Sequence, residues 1–230
     1  MLVPMVPWQQ IDSAVVPGGR DEMVLLRRGD EYVIRVGGFE LMNSRAFGSE
    51  QALAKMACAQ IAARPGPIVL IGGLGMGFTA AAALKQLGPD ARVVVAEIVP
   101  AVVEWNRGPL AHLAGDPLQD RRVAVQVADV AELLTCDANT FDAVMLDVDN
   151  GPQGLSRAAN DWLYTPAGLK AAGTALRPGG VLAVWSAAPS TDFTRRLARA
   201  GFEVVTIPVR ARGARKGSRH IIWIAVTGSG

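Results

Sequence analysis

The chain is expected to fold as an α/β protein, with a mostly parallel sheet, an antiparallel terminal strand pair and a small N-terminal β-domain. Three observations carry this expectation. The apolar run Ile68-Val69-Leu70-Ile71 ends in Gly72-Gly73-Leu74-Gly75-Met76-Gly77, and an Ala-rich segment, Phe78 to Leu87, follows. Strands rich in branched apolar residues then alternate with helical segments, as in a buried parallel sheet with covering helices. The last two strand-like runs have no helix between them, which disfavours a parallel crossover and leaves the final strand antiparallel to its neighbour.

Taken in order, Met23 to Arg28, Glu31 to Val36 and Phe39 to Asn43 read as short strands with turns at Gly29-Asp30 and Gly37-Gly38, a β-meander. Ser49 to Ala63 reads as a helix with Leu53, Met56, Ala57 and Ile61 on one face. Arg64-Pro65-Gly66-Pro67 stops it, and places a division between residues 1–64 and 65–230. The core strands start at Ile68 and continue with Arg92 to Ala96, Arg122 to Val127, Phe141 to Leu146 and Val181 to Trp185. Helices are expected over Phe78 to Leu87, Pro100 to Leu113, Trp162 to Leu176 and Thr191 to Ala200, the last closed by Gly201. Phe202 to Ile207 and His220 to Val226 form the terminal pair.

The carboxyl ends of four successive strands carry the candidate site. Gly72, Gly73, Gly75 and Gly77 sit at the first, where glycine lets the backbone turn and approach a ligand that a Cβ would meet. Helix N-terminus and strand end then face the crevice where open α/β sheets bind nucleotides. Glu97, 20 residues past Gly77, ends the second strand, where a carboxylate can accept both hydroxyls of a ribose. Ala128-Asp129 ends the third, and Asp129 could accept from an adenine amino group. The fourth ends in Asp147-Val148-Asp149-Asn150-Gly151-Pro152. Any one acid could be an N-cap or a turn residue, but four tips in register point to a ligand edge. Trp162 and Tyr164 follow closely and are candidates for an acceptor-pocket wall, or for the start of a buried helix.

Composition narrows the function classes. The formal net charge is +2, which does not argue for a nucleic-acid binder. The basic loop Arg210 to Arg219 lacks aromatic platforms and reads as a solvated, mobile loop. Two cysteines, Cys58 and Cys136, read as buried thiols, and two histidines, His112 and His220, form no metal cluster and receive no catalytic role. Asp147 and Asp149 could hold Mg²⁺, but Trp185-Ser186-Ala187-Ala188 offers no further ligand, so no metal is expected. No basic n-region with a long apolar stretch opens the chain and no run approaches the ~20 apolar residues of a membrane span, which makes the cytoplasm the expected compartment.

Gly72 to Gly77, Glu97, Asp129, Asp147 to Pro152 and Leu176-Arg177-Pro178-Gly179-Gly180-Val181-Leu182 together resemble a class I S-adenosylmethionine-binding domain, a Rossmann-like methyltransferase sheet. The meander followed by Gly48-Ser49-Glu50 and a helix is similar to the small β-domain of its spermidine synthase-like, polyamine synthase branch. The resemblance implies that Gly73, Gly75 and Gly77 lie against the donor's tail and ribose, with Gly72 beside them. It also implies that Glu97 with Ile98 binds the ribose and that Asp129 with Val130 binds the adenine. Asp147 and Asp149, with Asn150 as an orienting amide, would hold and deprotonate a small-molecule acceptor such as an amine. A homodimer through the β-domain is implied as well.

Two departures bear on the reaction. Polyamine synthases resembling this chain carry an Asp in the glycine loop that pairs with the donor's amine, whereas Leu74, Gly75 and Met76 stand here. Their acidic loop reads Asp-x-x-Asp-Pro, whereas here it is Asp147-Val148-Asp149-Asn150-Gly151-Pro152. The first departure removes a counter-charge for decarboxylated S-adenosylmethionine and a repulsion against the carboxylate of intact S-adenosylmethionine. The expectation is therefore a small-molecule methyltransferase, narrowly ahead of a polyamine aminopropyltransferase. An NAD-binding oxidoreductase is set back by glycine spacing that is not G-x-G-x-x-G. A non-catalytic nucleotide-binding protein is a fourth alternative.

Overall fold

A computed structural model describes residues 6–148, 161–212 and 217–228. Its seven-stranded sheet grows outward from the apolar run that ends in the glycine loop. The N-terminal meander has four strands, β1 (Gln9–Val15), β2 (Glu22–Arg28), β3 (Glu31–Val36) and β4 (Phe39–Asn43), paired antiparallel in sequence order. Helix α1 (Gly48–Gln60) leads to β5 (Ile68–Gly72), α2 (Phe78–Gln86), β6 (Arg92–Glu97), α3 (Pro100–Arg107), β7 (Val123–Val127), α4 (Val130–Cys136) and β8 (Phe141–Leu146). Then follow α5 (Pro166–Ala175), β9 (Leu176–Ser186), α6 (Thr191–Arg199), β10 (Phe202–Arg210) and β11 (Arg219–Thr227).

The large sheet has the order β10-β11-β9-β8-β5-β6-β7. Pairs β9-β8, β8-β5, β5-β6 and β6-β7 are parallel, and β11 runs antiparallel to both β9 and β10. The expected α/β class and antiparallel finish are therefore present. Several local boundaries differ from the sequence reading: β9 already starts at Leu176, where the end of a helix is expected, and β10 runs on to Arg210. β1 is an additional strand, whose exposed Gln9, Gln10 and Asp12 hide any apolar alternation. Helix α3 stops at Arg107, before Gly108-Pro109, and a separate 3-10 turn covers Ala111–Leu113. The segment read as one helix from Trp162 is a 3-10 turn, Trp162–Tyr164, followed by α5, whose N-cap Thr165 accepts from the Gly168 N–H and whose first residue is Pro166.

One apolar cluster joins the meander to the sheet. Met23, Leu25 and Ile34 pack with Leu53 and Ala57 of α1 and with Val69 and Ile71 of β5. Phe47 stacks on Phe78 at 4.4 Å between ring centroids, and the Gly48 N–H donates to the Ala211 carbonyl at 2.7 Å. The opposite face of the sheet is covered by α4, α5 and α6 around Leu134, Leu169, Phe193 and Trp223. Trp105 and Trp223 are both buried, as core residues. Cys58 is buried with its thiol pushed up to about 12 by burial, whereas Cys136 is exposed, because α4 turns that position outward.

The end of the sheet opposite the glycine loop is tied by a buried carboxylate. Asp142 accepts from Arg64 Nη1 at 2.7 Å, Arg177 Nη1 at 2.9 Å and the Ile68 N–H at 2.7 Å, uniting the entry to β5 with β8 and β9. A charge taken out of water is tolerable there because three donors, two of them cationic, meet the two oxygens.

Candidate active site

Register fixes which residues share an edge. Gly72 lies beside Ala96 on one side and Leu146 on the other, and Glu97 pairs with Val127. The carboxyl ends of β5, β6, β7 and β8 are thus level, and the chain leaves each strand into one cavity of about 370 Å³. Gly73, Gly75, Glu97, Ile98, Asp129, Val130 and Asp147 line it, as the sequence reading places them.

Gly72 and Gly77 belong to the packing around the cavity and not to its described lining. A Cβ on Gly72 would lie 2.9 Å from Val130 Cγ2, so this glycine lets α4 approach the strand. Gly77 is the N-cap of α2 at φ +79°, and a Cβ there would meet Asn106 Oδ1 at 3.0 Å. Tyr164 is buried, with its ring edge-on to Phe193, and Trp162 is half-buried beside it; neither is among the described lining residues. Asp149 and Asn150 lie outside the described residues, as do residues 213–216 of the basic loop.

The glycine loop is held from two sides. Glu97 is buried and accepts from the Val99 N–H through Oε1 at 2.8 Å and from the Leu74 N–H through Oε2 at 2.9 Å. Burial raises its pKa, and the backbone N–H groups that point at it oppose the rise. The N–H groups of Ile98 and Gly75 also point at it and add to that opposition. Asn106, buried on α3, donates from Nδ2 to the Gly75 carbonyl at 2.8 Å and to the Val102 carbonyl at 2.9 Å. Asp129 is the N-cap of α4 and accepts the Ala131 N–H through Oδ1 at 2.9 Å.

Gly75 sits at φ +52°, and a Cβ there would come within 2.8 Å of both Sδ and Cε of Met42. Met42, from β4 of the meander, therefore fills the space above the loop position left without a side chain. Gly73, at φ +90°, is needed because a Cβ would reach the Asp147 carbonyl oxygen at 2.5 Å.

Two further carboxylates, Asp147 and Glu50, line the same cavity. Asp147 accepts from Thr79 Oγ1 at 2.5 Å, and its pKa is raised by burial, with the Thr79 hydrogen bond opposing. Glu50, in the first turn of α1, is buried; burial raises its pKa first, the negative charge of Asp147 adds to the rise, and the hydrogen bond from Ser49 opposes it. Ser49 Oγ donates to Glu50 Oε2 at 2.6 Å and also lies 3.0 Å from His220 Nδ1. His220 packs edge-on against Trp185, at 4.8 Å between ring centroids, and burial lowers its pKa.

Counting Glu40, the described lining carries five carboxylates, Glu40, Glu50, Glu97, Asp129 and Asp147, and no arginine or lysine. Met42, Glu50, Trp185 and His220 are lining residues that the sequence reading did not assign to the site. Glu50 had a local signal, an acid in the first turn of a helix right after the meander. His220 and Met42 had none, since long-range pairing alone brings them here.

The sequence model of the spermine/spermidine synthase domain matches residues 47–195. The chain belongs to that family. Its members are transferases, and the cavity described above lies within and beside the matched span. A spermidine synthase from Thermotoga maritima superposes with a TM-score of 0.76 at 21% identity, over 96% of this chain and 74% of that one. A spermidine synthase in complex with the transition state analogue AdoDATO gives 0.75 at 21% identity, over 96% and 73%. A probable spermidine synthase from Corynebacterium glutamicum gives 0.65 at 15% identity, over 97% and 81%. At these identities the likeness shows the fold, including the small antiparallel N-terminal sheet beside the seven-stranded one. No curated protein sequence matches the chain.

Proposed function

We propose that this family member transfers an aminopropyl group from decarboxylated S-adenosylmethionine to a small amine. The observation that carries the proposal is the charge of the cavity: five carboxylates and no arginine or lysine among its described lining residues. Such a site concentrates cations and repels anions. Decarboxylated S-adenosylmethionine brings a sulfonium and an ammonium, and the acceptor brings ammonium groups of its own. The carboxylate of intact S-adenosylmethionine and the pyrophosphate of NAD would each add negative charge to a wall that already carries it.

The chemistry asks little beyond placement and one proton transfer. A neutral amine attacks the carbon attached to the sulfonium sulfur, the C–N bond forms as the C–S bond breaks, and 5′-methylthioadenosine leaves. The attacking nitrogen gives up one proton. Asp147, raised above the ordinary carboxylate range and steadied by Thr79, has the strength and position to hold an ammonium and accept that proton. Glu97 and Asp129 are placed to hold the nucleoside hydroxyls and base, as the resemblance implies. Fixing donor and acceptor in one water-poor crevice supplies much of the remaining acceleration.

One observation favours methyl transfer instead. The glycine loop carries Leu74, Gly75 and Met76 where the resembled polyamine synthases keep an acid, with Met42 over Gly75, so it offers no repulsion to a donor carboxylate. Calorimetric titration with both donors separates the two. Tighter binding of the decarboxylated donor supports aminopropyl transfer, and tighter binding of intact S-adenosylmethionine supports methyl transfer.

A further inference from the structure

We propose that Glu50 is the ammonium anchor of this cavity, taking the place of an acid in the glycine loop, with Ser49 and His220 as its positioning residues. The choice of ligand rests on the aminopropyl reading above. The geometry of the three side chains does not.

Met42 Sδ and Cε occupy the space into which a Cβ at Gly75 would project, so an apolar side chain stands over that loop position. Glu50 lines the same cavity from the first turn of α1. It is buried, and no salt bridge to it occurs among the described residues. Asp147 faces it with charge of the same sign. Two like-charged carboxylates lining one cavity away from bulk water are relieved by a proton or by a bound cation.

Hydrogen-bond inventory fixes how Glu50 is aimed. Ser49 Oγ has one proton, and at 2.6 Å it goes to Glu50 Oε2. The same oxygen must then accept at 3.0 Å from His220, which places the histidine proton on Nδ1. Trp185, edge-on to the imidazole, keeps the ring in that plane. The chain Nδ1–H to Oγ–H to carboxylate holds Oε2, and no described side chain donates to Oε1. Among the described residues, the titratable groups facing Glu50 are Asp147 from the end of β8 and, through Ser49, His220 from β11.

The test compares two ligands that differ in the aminopropyl arm. Decarboxylated S-adenosylmethionine carries it, and 5′-methylthioadenosine is the nucleoside without it. Each is titrated calorimetrically into the full chain and its variants. Glu50→Gln is expected to weaken the decarboxylated donor by roughly tenfold or more, as loss of a charge-assisted hydrogen bond does, and to leave 5′-methylthioadenosine within about twofold. Ser49→Ala and His220→Gln are expected to weaken the donor by about threefold or more. His220→Asn, whose amide N–H falls where Nδ1–H was, is expected to restore it.

Equal loss of both nucleosides in Glu50→Gln, or loss of neither, overturns the anchor. Identical behaviour of His220→Asn and His220→Gln overturns the positioning chain. A wild-type chain that binds 5′-methylthioadenosine but shows no preference for the aminopropyl arm sinks the anchor while the nucleoside site stands. A chain that binds neither nucleoside sinks this proposal and the donor assignment together.

Discussion

Replacing Glu97 by alanine separates what this carboxylate does for the loop from what it does for a ligand. Its oxygens accept the Leu74 and Val99 N–H groups inside a buried environment. Alanine leaves both donors unpaired, and each orphaned buried N–H costs about 1–3 kcal/mol. Removing a carboxylate whose pKa is raised by burial returns part of that cost. The net loss should be about 2–4 kcal/mol, which for a chain of this length lowers Tm by roughly 5–10 °C. Glu97→Gln keeps one acceptor oxygen and turns an NH₂ toward the other N–H, so about half that loss is expected. Circular-dichroism melts near neutral pH read the stability, and calorimetry with 5′-methylthioadenosine reads the site. Affinity should fall at least about tenfold in Glu97→Gln, because a ribose hydroxyl loses a charged acceptor. A Glu97→Ala melt within about 2 °C of wild type would refute the loop argument, and unchanged nucleoside affinity would refute the ribose contact.

Three further outcomes are expected. Asp142→Ala strands Arg64, Arg177 and the Ile68 N–H at a buried point and should cost about 3 kcal/mol by denaturant titration; a loss under about 1 kcal/mol would contradict the account of that junction. Glu50, Asp147 and Glu97 all have pKa values raised on folding, so the unfolded chain gives up those protons first, and stability should fall as pH rises from about 4.5 through the raised values. The slope should be shallower in Glu50→Gln, and parallel slopes in thermal melts would show that Glu50 does not titrate as argued. Thiol titration of the native chain should find Cys136 reacting at once and Cys58 only after denaturation; two fast thiols would place Cys58 wrongly.

Much of the sheet could be read from the sequence because its strands are buried on both faces. Ile68 to Ile71, Val93 to Val95 and Ala143 to Leu146 are continuous apolar runs, and the absence of a helix between Phe202 and His220 dictated the antiparallel finish. β1 escaped because an edge strand carrying Gln9, Gln10 and Asp12 has no apolar period; its Asp12 instead receives the Trp105 indole N–H at 2.7 Å. The stop of α3 at Gly108-Pro109 and the start of α5 at Thr165-Pro166 did have local signals, a breaker pair and an N-cap followed by Pro at N1. In the site, the strand-tip residues Glu97, Asp129 and Asp147 were legible because parallel register brings such tips together. Met42, Glu50 and His220 come from the meander, α1 and the terminal hairpin, and only tertiary packing closes them over the same cavity. Gly72 and Gly77 matched the glycine pattern for packing reasons, one against Val130 and one against Asn106.

Aminopropyl transfer in this acidic cavity is tested most directly by mass-spectrometric analysis of products after incubating the protein with a set of short diamines and either decarboxylated or intact S-adenosylmethionine. Release of 5′-methylthioadenosine and an acceptor heavier by one aminopropyl group are expected, only with the decarboxylated donor. Formation of S-adenosylhomocysteine and a methylated acceptor from the intact donor would contradict aminopropyl transfer.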